Sequence, residues 1–103
     1  MSAPSQTTVR DDPEHSRYVI LEGDQRVGLA AYTRSGDTWT FTHTEVESGE
    51  GHHGLGGTLV RAALDDVRAA GGTVVPQCPF VAGWIERHPE YRDLVDRGEA
   101  PGA

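Results

Sequence analysis

Residues 45–70 read EVESGEGHHGLGGTLVRAALDDVRAA, and this stretch decides the fold. A β-type run ends at Val46, a glycine-rich segment follows, and a helical pattern begins at Gly56. The first N–H groups of a helix have no intrahelical partner and carry the positive end of the helix dipole, which favours phosphates. Glycines at Gly54, Gly56 and Gly57 place no Cβ between the backbone and a ligand. The stretch therefore predicts a site that grips a pyrophosphate.

The glycine segment matches neither of the common nucleotide-binding loops. The P-loop pattern GxxxxGK[ST] is absent from the sequence. The dinucleotide turn GxGxxG opens a parallel sheet of several strands, whereas this chain has room for a single crossover. A simple tight turn before a helix is the alternative, and the physics of the helix end favours phosphate binding over it.

The composition indicates one acidic domain. The chain has 103 residues, a formal net charge of -7 and no lysine. Nucleic-acid binding needs a basic patch, so we expect no nucleic-acid partner, and the surplus acid mildly favours a cationic substrate. Residues 1–8 and 96–103 carry few apolar groups and are predicted to be disordered, which leaves a domain at residues 9–95.

The sequence favours a cytoplasmic protein. It contains no run of about 20 apolar residues, which a membrane span needs, and no basic-then-apolar start typical of a signal peptide. Its single cysteine, Cys78, excludes an internal disulfide and fits a reducing compartment. We expect no membrane partner, and a monomer or a weak homodimer.

The first half of the domain predicts an antiparallel β-meander. Strands are expected at Arg17–Glu22, Val27–Tyr32 and Thr38–Val46, joined by short turns, and residues 9–11 could add an edge strand. The third strand alternates cleanly, which predicts that one face carries the side chains of Trp39, Phe41, His43 and Glu45.

The second half predicts a crossover. Apolar residues recur at helical spacing between Gly56 and Ala70, and Gly71 follows as a helix stop. The strand at residues 73–76 should then lie parallel to the strand that ends at Val46. A second helix is expected at Pro79–Arg87, with one more helical turn at residues 90–95. The fold class is α/β.

Cys78 precedes Pro79, which suits the first position of a helix, so Cys78 lies at or near a helix N-cap. The positive helix end can lower the pKa of a thiol and populate the thiolate. The alternative is a small buried apolar residue, which free cysteine often is. We favour the functional interpretation.

Three motifs in order resemble a known family. They are His43-Thr44-Glu45-Val46, the glycine segment, and Cys78-Pro79-Phe80-Val81 with Arg87-His88-Pro89-Glu90-Tyr91. Together they resemble the small single-domain branch of the GNAT superfamily of N-acetyltransferases over residues 17–95. The resemblance implies a minimal GNAT-like fold, acetyl-CoA as co-substrate, and an amine acceptor that the sequence does not identify. Gly51 stands where the superfamily loop usually has Gln or Arg, so one phosphate contact would come from the backbone alone.

The resemblance also implies site residues. Candidate catalytic residues are Cys78, Glu45 and His43. The residues implied for acetyl-CoA binding are Val46, His53, Gly54, Leu55, Gly56, Gly57 and Thr58. Glu45, or a water that it holds, would deprotonate the amine. The alternative for Glu45 is an exposed carboxylate at the end of a strand, and the alternative for His43 is a histidine of the core or of an interface.

No metal is expected. His52 and His53 are adjacent, so they cannot chelate as a helical i, i+4 pair would, and a zinc site needs three or four ligands. Two rival functions stay open: a non-catalytic CoA-binding or sensing module, because the helices that usually follow the first strand have no counterpart here, and a protein-interaction domain with an incidental glycine turn.

Overall fold

Two of the four strands of the meander are longer than the sequence predicts, and the other two have the predicted bounds. The structure is a computed structural model that describes residues 7–47 and 54–95. Strand β1 is Thr7–Asp12, which begins before the predicted edge strand. A 3-10 turn at Pro13–His15 leads into β2 at Arg17–Glu22, and β3 follows at Gln25–Ser35. Strand β4 is Thr38–Val46, as predicted.

The five strands form one sheet in the order β1-β2-β3-β4-β5. The first four are antiparallel neighbours. Strand β5, at Thr73–Pro76, pairs with β4 in parallel, which confirms the predicted crossover. The expected α/β fold class and its arrangement, an antiparallel meander with one parallel strand and two main helices, are confirmed.

Helix α1, Leu55–Ala69, makes the crossover between β4 and β5. It begins after Gly54, which has a left-handed φ of 76°. It ends in a Schellman motif, in which the N–H groups of Gly71 and Gly72 donate to the carbonyls of Arg68 and Val67. The glycines on either side of α1 therefore define the limits of the helix.

Helix α2, Pro79–Arg87, follows β5 with Cys78 as its N-cap, as predicted. The expected last helical turn is a 3-10 segment at Pro89–Leu94. Both helices contribute to one apolar cluster with the sheet, which includes Phe41, Leu64 and Trp84. Among the described residues, no helix is long and apolar enough to cross a membrane.

A β-bulge divides β4 and changes which side chains face the core. Ala31 of β3 pairs with His43, but the next residue, Tyr32, pairs with Phe41, so Thr42 is the extra residue. Trp39 and Phe41 are buried, whereas His43 and Glu45 are exposed. The prediction that these four residues share one face is therefore wrong, because simple alternation does not account for a bulge.

Candidate functional site

The candidate site lies where β4 and β5 separate. Their pairing ends at Phe41–Pro76, and the Phe41 carbonyl then accepts a hydrogen bond from the N–H of Cys78 at 2.9 Å. Beyond Phe41, β4 pairs with β3 alone within residues 7–47 and 54–95. The N–H of Glu47 points to β3, where it donates to Val27. The N–H groups of successive residues in a strand point to opposite edges. Those of residues 44 and 46 therefore point away from β3, to the edge that β5 leaves open.

We call this opening, between residues 42–46 and Cys78, the β4–β5 splay. The Cys78 side chain lies across it. Its Sγ is 3.4 Å from the Thr44 hydroxyl, and the residue is only 5% exposed. Burial alone would raise the pKa of the Cys78 thiol. The Thr44 hydroxyl and the backbone N–H groups of Val81 and Phe80 stabilise the thiolate more strongly, so the pKa lies below its usual range.

His43 and Glu45 lie together on the opposite face of β4. Nε2 of His43 is 2.8 Å from Oε2 of Glu45, and their side chains are 56% and 67% exposed. The contact orients both side chains in water, where an exposed pair of this kind contributes little to stability. The three candidate catalytic residues are therefore divided between the two faces of one strand, with Cys78 on the side of the helices.

The glycines of the α1 N-terminus are needed for two different structural reasons. Gly54 requires its left-handed backbone conformation, and a Cβ there would meet nothing within 4 Å. A Cβ on Gly56 would collide with the Phe80 ring of α2, and one on Gly57 would lie 3.3 Å from Nε1 of Trp84. The first turn of α1 is open to solvent at Gly54 and packed against α2 at the next glycines.

The first turn of α1 has N–H donors without an acceptor among the residues that the structure describes. The first intrahelical bond runs from the N–H of Thr58 to the carbonyl of Gly54. The N–H groups of residues 55–57 therefore have no acceptor within the helix. Gly54 has no side chain with which to cap them. This end of α1 has the geometry that binds anions in other proteins.

A cleft of about 390 Å³ lies between this turn and α2, and its lining was not predicted from the sequence. Besides Gly57 and Thr58 it is lined by Arg61, Ala62, Asp65, Trp84 and His88. The rings of Trp84 and His88 stack at 3.8 Å, and the Arg61 guanidinium lies 5.3 Å from the Trp84 ring. The cleft offers an aromatic wall, a guanidinium group and the Asp65 carboxylate, which accepts a hydrogen bond from Tyr91, beside the first N–H groups of α1.

The structure brings some of the predicted site residues together. Leu55 and Gly56 are buried in the first turn of α1, Thr58 is exposed, and Val46 packs at the margin of the core. His53 lies outside the described residues. Thr44 and Arg61 were missed as site residues. The bulge turns Thr44 inward, which simple alternation does not predict, and the helical pattern assigns Arg61 only to the polar side of α1.

Comparisons with known proteins identify a matching family and a similar solved structure. The sequence model of a family described as GCN5-related N-acetyl-transferase matches residues 17–94. The fold is similar to the NMR solution structure of a GCN5-like protein from Staphylococcus aureus, with a TM-score of 0.67 at 18% identity. That match covers 86% of this chain and 87% of the other. A search of curated protein sequences finds no significant match.

Proposed function

The chain belongs to the GCN5-related N-acetyltransferase family, and from this premise we propose that it transfers an acetyl group from acetyl-CoA to a primary amine. The observation that carries the proposal is the β4–β5 splay. There, one half of a central strand has free backbone donors at its edge, a thiol on one side and a carboxylate on the other. Acyl transfer needs donors for a developing oxyanion and a base for the amine, and the splay offers both.

The α1 N-terminus supports the choice of acetyl-CoA as the donor. Its free N–H groups at residues 55–57 and the open space at Gly54 suit the pyrophosphate of coenzyme A. In our proposal the nucleotide end occupies the cleft beside Arg61 and Trp84. The pantetheine arm then runs along β4 and brings the thioester into the splay.

The reaction follows from these positions. The unprotonated amine nitrogen attacks the thioester carbonyl carbon, a C–N bond forms, and the carbonyl electron pair becomes an oxyanion. The N–H groups of Thr44 and Val46 face the side on which that oxyanion would develop. The intermediate collapses with loss of the C–S bond, and coenzyme A leaves as a thiol after taking up a proton. Glu45, held by His43, accepts the amine proton directly or through a water molecule.

Cys78 allows a second route, in which the thiol takes the acetyl group first and an amine then discharges it. The lowered pKa of Cys78 supports this route, and its 5% exposure opposes it. We favour direct transfer, with Cys78 important for activity as a neighbour of the thioester.

The proposal is tested by measuring coenzyme A release from acetyl-CoA with a panel of primary amines. We expect amine-dependent release by the wild type, and acetylated amine in equal amount by mass spectrometry. An acetyl group on wild-type protein without acceptor, lost in Cys78→Ser and discharged by amine, would establish the covalent route. No release with any amine would contradict the proposed activity.

A non-catalytic CoA-binding module is the alternative, and one feature of the fold favours it. Among the described residues, no helix covers the sheet face that carries His43 and Glu45. Thermal unfolding with millimolar coenzyme A separates the two functions when it is combined with the turnover assay. A higher midpoint without turnover indicates the binding module, whereas binding with turnover indicates the enzyme.

A further inference from the structure

The uncovered face of the sheet carries an ordered row of side chains. Residues that lie directly opposite each other on neighbouring strands share a face. The register therefore aligns Arg10, Val19, Leu29 and Glu45 across β1, β2, β3 and β4. The row reads base, apolar, apolar, acid, and its acidic end is the proposed catalytic carboxylate.

The neighbouring row also contains an arginine, but that arginine is paired with a carboxylate. It aligns Asp12, Arg17, Ala31 and His43. In this row Asp12 neutralises Arg17 through a 3.0 Å contact between Oδ2 and Nε. Within residues 7–47 and 54–95, Arg10 forms no such pair, so its charge is available to a ligand.

Two adjoining clefts follow the first row. One of about 460 Å³ is lined by Arg10, Val19 and Leu21, among others, and a second of about 240 Å³ is lined by Leu29 and Glu45. Arg26 lines both, and it too has no ion pair within the described part of the chain. The clefts thus form a continuous path from two unpaired guanidinium groups to Glu45.

We propose that this path is the acceptor site, and that the acceptor is the N-terminus of an acidic peptide, bound in an extended conformation with its α-amino group at Glu45 and an acidic side chain at Arg10 and Arg26. The inference rests on the proposed acetyl transfer and names its substrate class. Leu29, which is half-buried, contacts the apolar residues between the two charged ends, whereas Val19 is only 5% exposed and lies at the floor of the first cleft.

The length of the path sets the spacing of the charges in the peptide. Strands lie about 4.8 Å apart, so β1 and β4 are separated by roughly 14 Å. The side chains of Arg10 and Glu45 are long enough to close part of this gap. An extended chain advances about 3.4 Å per residue, so the acidic side chain belongs at the third or fourth peptide position.

The environment of Glu45 favours an α-amine over a lysine side chain. The Glu45 side chain is 67% exposed, so the site offers no burial to lower the pKa of an amine. An α-amino group has a pKa of about 8 and is partly unprotonated near neutral pH, whereas lysine has a pKa of about 10.4. The α-amine therefore supplies far more of the nucleophilic form.

The net charge of -7 does not oppose the binding of an acidic peptide. At physiological ionic strength charges are screened beyond about 8 Å, so an acidic side chain responds to the nearest guanidinium groups. Besides Glu45, three carboxylates line the two clefts: Asp12 is paired with Arg17, Asp11 accepts a hydrogen bond from the Tyr32 hydroxyl, and Glu47 also has an interaction partner.

The test compares amidated tetrapeptides that differ in one group: Ala-Val-Val-Glu, Ala-Val-Val-Gln, and Ala-Glu-Val-Gln, in which the acid is moved next to the amine. We expect kcat/KM to be roughly fivefold to tenfold higher for the first peptide, through KM. The double variant Arg10→Gln with Arg26→Gln should remove that preference between the three peptides. Arg87→Gln, which removes a charge on α2, should keep it.

The outcomes separate the inference from the proposed function. Equal turnover of all three peptides would overturn the acceptor assignment and leave acetyl transfer intact. Without turnover of any amine, calorimetry decides: tighter binding of the Glu peptide that needs Arg10 and Arg26 supports the site, and no such binding overturns it. A concentration-dependent dimer that the double variant abolishes would show that this face binds a second copy instead.

Discussion

The two halves of β4 differ in their strand pairing and in the exposure of their side chains. Residues 38–41 pair with β3 on one edge and β5 on the other, and their large side chains, Trp39 and Phe41, are buried. Residues 43–46 pair on one edge only, and His43 and Glu45 are exposed. One bulged residue, Thr42, separates the halves. A single strand therefore holds the core at one end and presents polar, exposed side chains at the other.

The largest expected effect comes from breaking the buried half. Phe41→Ala removes a side chain that is 1% exposed, so it should lower the free energy of unfolding by about 3–5 kcal/mol. Urea unfolding followed by circular dichroism measures this. A loss below about 1 kcal/mol would contradict the view that residues 38–41 are the structural half, since surface changes have effects of that size.

Glu45→Gln tests the exposed half. Loss of a general base typically slows a reaction by about 10²–10⁴-fold, so we expect kcat to fall by at least the lower figure. Because Glu45 is exposed, the free energy of unfolding should change by less than about 0.5 kcal/mol. Retained turnover in a folded variant would leave Glu45 as an exposed carboxylate without a catalytic role.

Two glycines that pack against β4 give a matched pair of variants. A Cβ on Gly28 would lie 2.7 Å from Cγ1 of Val46 and 2.9 Å from the Glu45 carbonyl. A Cβ on Gly72 would press on the Trp39 ring and lie 2.6 Å from the Asp37 carbonyl. Substituting alanine at either glycine should destabilise the fold by about 1–3 kcal/mol, because both sites would be overpacked.

The two glycine variants should differ in activity. Gly28→Ala displaces the exposed half of β4 and should lower kcat, whereas Gly72→Ala disturbs only the buried half and should keep kcat at temperatures where it is folded. Steady-state kinetics beside thermal unfolding makes the comparison. Equal losses of kcat would mean that the bulge does not isolate the two halves.

The smallest effect is expected at the Thr44–Cys78 contact. Thr44→Val removes a hydroxyl that stabilises the thiolate, so the pKa of Cys78 should rise. The lowered wild-type pKa stabilises the fold above the thiol's unfolded pKa, and this stabilisation is lost as the pH falls through the folded pKa. The pKa is measured from the ultraviolet absorbance of the thiolate as a function of pH, with Cys78→Ser as the blank. An unchanged midpoint in Thr44→Val would show that the Thr44 hydroxyl does not lower the pKa of Cys78.

The sequence predicts the elements well because each has a local cause. A run rich in β-branched and aromatic residues marks β2, and period-two alternation marks β4. The 3.6-residue period marks α1, and Pro79 after Cys78 marks the start of α2. These signals need only neighbours in the chain, and they also correctly predict the parallel crossover through handedness and loop length.

The site is less predictable because its geometry depends on distant residues. The bulge at Thr42 follows from pairing with β3, and it decides that Thr44 meets Cys78 while Glu45 turns outward. The Phe80 ring over Gly56 likewise depends on how α2 packs on α1. A sequence pattern gave the candidates, but tertiary pairing determines their faces and neighbours.

The central claim is that acyl-CoA binds along the exposed half of β4 and at the α1 N-terminus. Amide chemical shifts of ¹⁵N-labelled protein titrated with coenzyme A test it most directly. We expect saturable chemical-shift changes at the amides of Thr44, Val46, Gly54 and Gly57. The amide of Thr38, in the half of β4 that is paired on both edges, should not change. Saturation without shifts at the first four amides, or no shifts at millimolar coenzyme A, would contradict it.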